Sequence, residues 1–122
     1  GHLESKAFLN QIEIAVSSYS EKSQSTLVTG IPAKTHYSDE EFKNMIHDFQ
    51  DWKKVRMIGS AAMAAIYVAA GKAETYKENG IFLWDIAAGA AIVEAAGGVA
   101  SIKNIQADYR VDAIFTNQHL AN

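Results

Sequence analysis

The chain has 122 residues, 48% hydrophobic and 20% charged, which is enough for one cored domain and short for two. A net charge of −3 without a basic patch argues against nucleic acid as a partner. The absence of cysteine excludes a disulfide framework and a thiolate metal site and is compatible with a cytoplasmic location; no apolar run reaches the about 18–20 residues that a membrane span requires.

Residues 8–16 place Phe8, Ile12, Ile14 and Val16 at even positions, which predicts a strand with one buried face. A serine-rich loop over 17–26 leads into a short strand at 27–29, which ends at Gly30-Ile31-Pro32. Ser38 opens a helix: Glu41 completes a capping box, and Tyr37 and Phe42 are placed as a hydrophobic staple. Phe42, Met45, Ile46 and Phe49 form its apolar stripe, while Asp39, Glu40, Asp48 and Asp51 take the solvated side.

A strand over 55–58 is followed at Gly59-Ser60 by a helix running to Ala70 and stopping at Gly71. That helix has almost no polar face, so it is expected to be buried between layers. Residues 73–77 read as a strand and Asn79-Gly80 as a turn. Asp85 is expected to open a third helix ending at Gly97-Gly98, and 99–103 and 112–116 read as the last strands. Short strands alternating with helices predict an α/β domain, layered α/β/α around a mixed sheet, over residues 1–122. The chain begins at Gly1 without a signal-peptide pattern and is expected to be a fragment or a processed product.

Glu78-Asn79-Gly80-Ile81-Phe82-Leu83-Trp84-Asp85 carries the clearest chemistry. It sets two carboxylates across a turn, beside a tryptophan and the start of a helix. A carboxylate at a strand-to-helix turn can face the sheet edge where α/β folds hold ligands, and Mg2+ takes oxygen ligands of this kind. From spacing alone Asp85 reads first as a helix cap, and the Gly59-Ser60 pair also reads as one. His36, His47 and His119 are scattered and predict no metal triad.

Trp84-Asp85-Ile86-Ala87-Ala88-Gly89, followed by Ile92-Val93 and Ala96-Gly97-Gly98, resembles the C-terminal signature of the inositol monophosphatase family. Gly59-Ser60-Ala61-Ala62, Tyr67-Val68-Ala69-Ala70-Gly71, the Tyr76–Glu78 segment, Ala7-Phe8-Leu9-Asn10 and Thr116-Asn117 extend the likeness to nearly the whole chain. The resemblance implies that Asp85 ligates a catalytic Mg2+, that Glu78 contacts substrate hydroxyls, and that Gly59, Ser60 and Ala61 line the sugar or inositol pocket. Two departures stand out. Ala95 occupies the place of the family's glutamate, with Glu94 one residue earlier. The Glu-Glu pair and the Asp-Pro-x-Asp-Gly-Thr stretch of the family's N-terminal half do not occur in this chain.

The resemblance therefore implies the C-terminal lobe of a Mg2+-dependent phosphomonoesterase acting on inositol monophosphate or a similar polyol or sugar phosphate. Such a lobe is expected to be inactive alone, to be a homodimer in the whole enzyme, and to expose an apolar flank toward the missing half. Fructose bisphosphate, histidinol phosphate and nucleotide bisphosphates are alternative substrates within the same resemblance. A non-catalytic dimerisation or regulatory module is the alternative in kind.

Overall fold

The computed structural model describes residues 7–9, 12–30 and 37–121. Strands β1 (Ala7–Leu9) and β2 (Ile12–Ile14) form a small antiparallel sheet of their own. The single strand expected over 8–16 is thus two short pieces folded against each other. A 3₁₀ turn at Lys22–Gln24 precedes β3 (Thr26–Thr29). Helix α1 (Asp39–Phe49), β4 (Lys54–Met57), α2 (Ala61–Ala69), β5 (Thr75–Phe82), α3 (Leu83–Ala95), β6 (Val99–Lys103) and β7 (Arg110–Thr116) follow in order.

The main sheet has the order β4-β3-β5-β7-β6. Strands β4, β3 and β5 are parallel, while β7 runs antiparallel to both β5 and β6, so the sheet is mixed as predicted. Alternation along β5 separates the helical layers. Tyr76 is buried in the core that α2 and α3 cover, whereas its neighbour Lys77 reaches Asp48 of α1 at 2.5 Å. Helices α2 and α3 therefore share one face and α1 lies on the other.

Ser38 caps α1 with the full reciprocal pair: its hydroxyl accepts from the Glu41 N–H, and the Glu41 carboxylate accepts from the Ser38 N–H. The staple also forms, with the Tyr37 and Phe42 rings 6.0 Å apart and edge to face. The stripe is less buried than its periodicity suggests, since Phe42 and Ile46 are 47% and 45% exposed. Helix α2 buries Ala64, Ala65, Val68 and Ala69 and leaves Ala62 and Met63 open, so it is packed on one side and not sandwiched. Helix α3 does the same, burying Ile86, Gly89, Ala90 and Val93. Ala95 packs against the core and Glu94 is exposed, so the one-residue departure leaves the helix interface intact.

The Asn79-Gly80 turn is a correction. Strand β5 runs through it to Phe82, with a bulge between Glu78 and Ile81 in its pairing with β7. Gly80 takes φ +72°, and its N–H donates to Asp112 Oδ1 on β7 at 3.1 Å. Asn104 holds the other Asp112 oxygen at 2.8 Å. An aspartate on the neighbouring strand thus turns a hairpin-type dipeptide into a bulge.

Candidate active-site cleft

The three parallel strands end at one edge, where β4 passes into α2 through Ile58-Gly59-Ser60 and β5 passes directly into α3. A cleft of ≈ 680 Å³ opens there. It brings together all five residues singled out in the sequence: Gly59, Ser60, Ala61, Glu78 and Asp85. Gly30 and Arg110 also line it. Carboxyl ends of parallel strands are where α/β sheets hold ligands.

Ser60 is the N-cap of α2, its hydroxyl accepting from the Met63 N–H at 3.2 Å. Capping and cleft lining are therefore compatible here, because capping uses the side chain and leaves the backbone at the cleft. The first-turn N–H groups of Ala61 and Ala62 have no partner within the helix and suit an anionic ligand.

Asp85 is not a cap. Helix α3 starts at Leu83 with Phe82 as its N-cap residue, which puts Asp85 third in the helix with its side chain exposed. The helix starts early because the Leu83 N–H is already satisfied by the Tyr109 carbonyl at 2.9 Å. A carboxylate in the first turn still gains from the helix dipole.

Glu78 is buried, at 9% exposure. The Tyr76 hydroxyl donates to its Oε1 at 2.8 Å. Burial pushes the Glu78 carboxyl above its ordinary pKa; the Tyr76 hydrogen bond pulls the other way, and the Asp85 charge adds to the rise. Burial, followed by the Glu78 charge, pushes the Tyr76 phenol upward as well, so it remains a proton donor.

At the rim, the Arg110 guanidinium lies over the Phe82 ring at 5.2 Å, and Trp84 stacks on Phe82 at 4.7 Å. Sequence reasoning missed Arg110, which faces Phe82 only because the bulge sets that register. It also missed Gly30 and the role of Tyr76, although Tyr76 stands two residues before Glu78 on a strand and so shares its face.

The cleft offers Mg2+ one exposed carboxylate, Asp85, facing a buried one. Among the described residues no group of three His, Cys, Asp or Glu side chains is gathered to hold a metal ion. Mg2+ takes six oxygen ligands, several of them usually water. The described residues thus fit such an ion as donors of one ligand and do not supply a full set. His47 and His119 are exposed and lie outside this cleft; His36 and Pro32 lie outside the described residues. Among the described residues, no helix is long and apolar enough to cross a membrane.

Known proteins resemble the chain in sequence and in fold. The sequence matches the inositol monophosphatase family over residues 1–117. A relative in Pasteurella multocida, named Nus factor SuhB, is 39% identical over 94 residues, covering 76% of this chain and 35% of that protein. The inositol-1-monophosphatase of Synechocystis is 38% identical over 96 residues, 78% of this chain and 33% of that protein. Among solved structures, Mycobacterium tuberculosis SuhB superposes with a TM-score of 0.79 at 28% identity, over 89% of this chain and 42% of that one. The inositol monophosphatase of Anabaena superposes at 0.78 with 32% identity, over 90% and 47%. The chain spans about a third of the length of the curated relatives it matches.

Proposed function

The chain belongs to the inositol monophosphatase family, and on that premise we propose that it is the C-terminal part of a magnesium-dependent phosphomonoesterase. Its substrate is inositol monophosphate or a similar polyol or sugar phosphate. The observation that carries this reading is the convergence of Gly59, Ser60, Ala61, Glu78 and Asp85 on one cleft between two helix N-termini.

Each group has a task that its environment suits. The free N–H groups at the start of α2 bind and orient the anionic ester. Glu78 accepts a hydrogen bond from a hydroxyl of the polyol and so fixes which ester oxygen lies near Asp85. Asp85 is one ligand of a Mg2+ ion whose other protein ligands lie outside this chain. When bound, that ion supplies charge stabilisation at phosphorus and lowers the pKa of the attacking water. The working enzyme is a homodimer of the longer polypeptide, located in the cytoplasm.

Asp85→Asn tests the reading in the longer polypeptide. Asparagine keeps an acceptor oxygen and loses the charge that Mg2+ requires. Helix stability should change by only about 0.3–1 kcal/mol, the worth of a dipole interaction. Phosphate release from inositol monophosphate should fall by orders of magnitude with a nearly unchanged melting temperature. An unaltered rate and magnesium dependence would overturn the assignment.

A second reading, a non-catalytic binding module, draws on the open apolar side of α2 and α3 and on relatives named Nus factor SuhB. A longer polypeptide with no magnesium-dependent phosphate release from any polyol ester would favour it.

A further inference from the structure

A glutamate has three rotatable side-chain bonds, so a carboxylate free to sample them would meet a substrate hydroxyl in only part of its conformations. Two neighbours restrict Glu78. Tyr76 is fully buried, with its ring 5.4 Å from that of Phe115, and its hydroxyl donates to Glu78 Oε1 at 2.8 Å. Gly30, directly after β3, lies against the same oxygen: a Cβ there would stand 2.8 Å from Oε1 and 3.3 Å from the Ile58 carbonyl oxygen. Among the described residues none hydrogen-bonds the second carboxylate oxygen, Oε2.

We propose that Tyr76 and Gly30 are positioning residues for Glu78. The phenol anchors Oε1, the glycine leaves the space that Oε1 fills, and Oε2 is thereby presented to a hydroxyl of the substrate. This rests on the reading of the cleft as a polyol-phosphate site. Strand geometry supplies the arrangement. Tyr76 and Glu78 point to the same face of β5, and the parallel register Val28↔Tyr76, Thr29↔Lys77 brings Gly30 level with Glu78. Burial keeps the phenol protonated, so it acts only as a donor toward Glu78. Tyr76 does not line the cleft, and Gly30 lines it without a side chain, so neither offers the ester a polar side-chain group. Their effect should therefore depend on whether the substrate has hydroxyl groups to be read.

That dependence separates positioning from ordinary core packing. In the longer polypeptide, wild type and Tyr76→Phe are compared on inositol monophosphate and on 4-nitrophenyl phosphate, which carries no polyol hydroxyl. Phenylalanine keeps the buried ring and removes only the anchor. The expected result is a fall of about tenfold or more in kcat/KM for the inositol ester, mostly through KM, because small misplacements of a binding group are costly. The aryl ester should change by less than about twofold. Gly30→Ala leaves the Tyr76 ring alone and displaces Oε1, so it should give the same split. It also keeps the test open if Tyr76→Phe folds poorly. Equal losses on both esters, or no loss on either, in the variant that folds would overturn the positioning role while leaving the cleft's function standing. A wild type that does not favour the inositol ester over the aryl ester would overturn the functional reading, and this proposal with it.

Discussion

Glu78 is buried next to the negative charge of Asp85, and both circumstances favour its protonated form. A carboxyl whose folded pKa is raised binds more protons in the folded than in the unfolded chain. Stability then falls as pH rises from about 4 through the raised folded value, and the penalty is fully present above it. Glu78→Gln removes the charge and keeps an acceptor for the Tyr76 hydroxyl. The variant should melt at a higher temperature than wild type at neutral pH, and the gap should close as pH falls toward 4. Thermal denaturation across that range checks it; a gap independent of pH would show that the carboxylate carries no burial penalty. The same substitution should weaken use of a polyol ester, so stability and binding move in opposite directions. Glu78 and Asp85 were legible because carboxylates beside a turn and a helix start are unusual enough to notice. Gly30 was not, because a glycine before Ile-Pro reads first as a strand end. Its closeness to Glu78 Oε1 arises only when β3 and β5 pair. Whether Asp85 caps α3 was not legible either. That turns on where α3 begins, which the Tyr109 carbonyl helps to set.

Between elements, α2 and α3, the two alanine-rich helices, approach closely at Gly89. A Cβ on Gly89 would stand 2.7 Å from the Ala65 Cβ and 3.3 Å from the Phe115 ring. The Ala65 contact is backbone-anchored and cannot swing aside. Gly89→Ala gains about 1 kcal/mol of helix propensity, but overpacking of a tight core costs about 1–3 kcal/mol. The variant should therefore be less stable, or at best neutral, where propensity alone predicts a gain. Ala65→Gly in the Gly89→Ala background restores the missing space. A double-mutant cycle by urea denaturation should give a favourable coupling of about 0.5 kcal/mol or more, whereas additive effects would mean that the helices do not meet at this pair. The missing polar face of α2 announced burial in the sequence without naming the partner. Local signals elsewhere named elements and missed their connections. The capping box placed the start of α1, yet Asn79-Gly80, a strong hairpin signal, became a bulge because Asp112, on a paired strand distant in sequence, takes the Gly80 N–H.

At the scale of the molecule, the apolar composition of α2 and α3 exceeds what the sheet can cover. Their inner sides are buried. Ala62, Met63, Ala87, Ala88, Ala91, Ile92 and Trp84 remain on exposed positions, with Met63, Ile92 and Trp84 at 44%, 37% and 63% exposure. The sequence announced burial between layers for α2 alone; the described residues cover one side of it, and the proposed remainder of the polypeptide would cover the other. Exposed apolar side chains on the outer sides of two packed helices are the kind of surface that mediates association. Prepared alone, the 13.3 kDa chain should therefore associate with itself as its concentration rises. Sedimentation velocity across a dilution series should show an average mass that climbs above that of one chain. A charged side chain in the middle of this surface should oppose association while leaving the core intact, because these side chains are not buried within the chain. Met63→Glu and Ile92→Glu together should return the chain to a monomer with unchanged helix content by circular dichroism. The same pair in the longer polypeptide should be far more damaging, since there the covering layer would trap two unpaired carboxylates, each costing several kcal/mol if it stays ionised. A wild-type chain that stays monomeric at every concentration, or a pair of glutamates equally harmless in both settings, would show that nothing packs on this side of the helices.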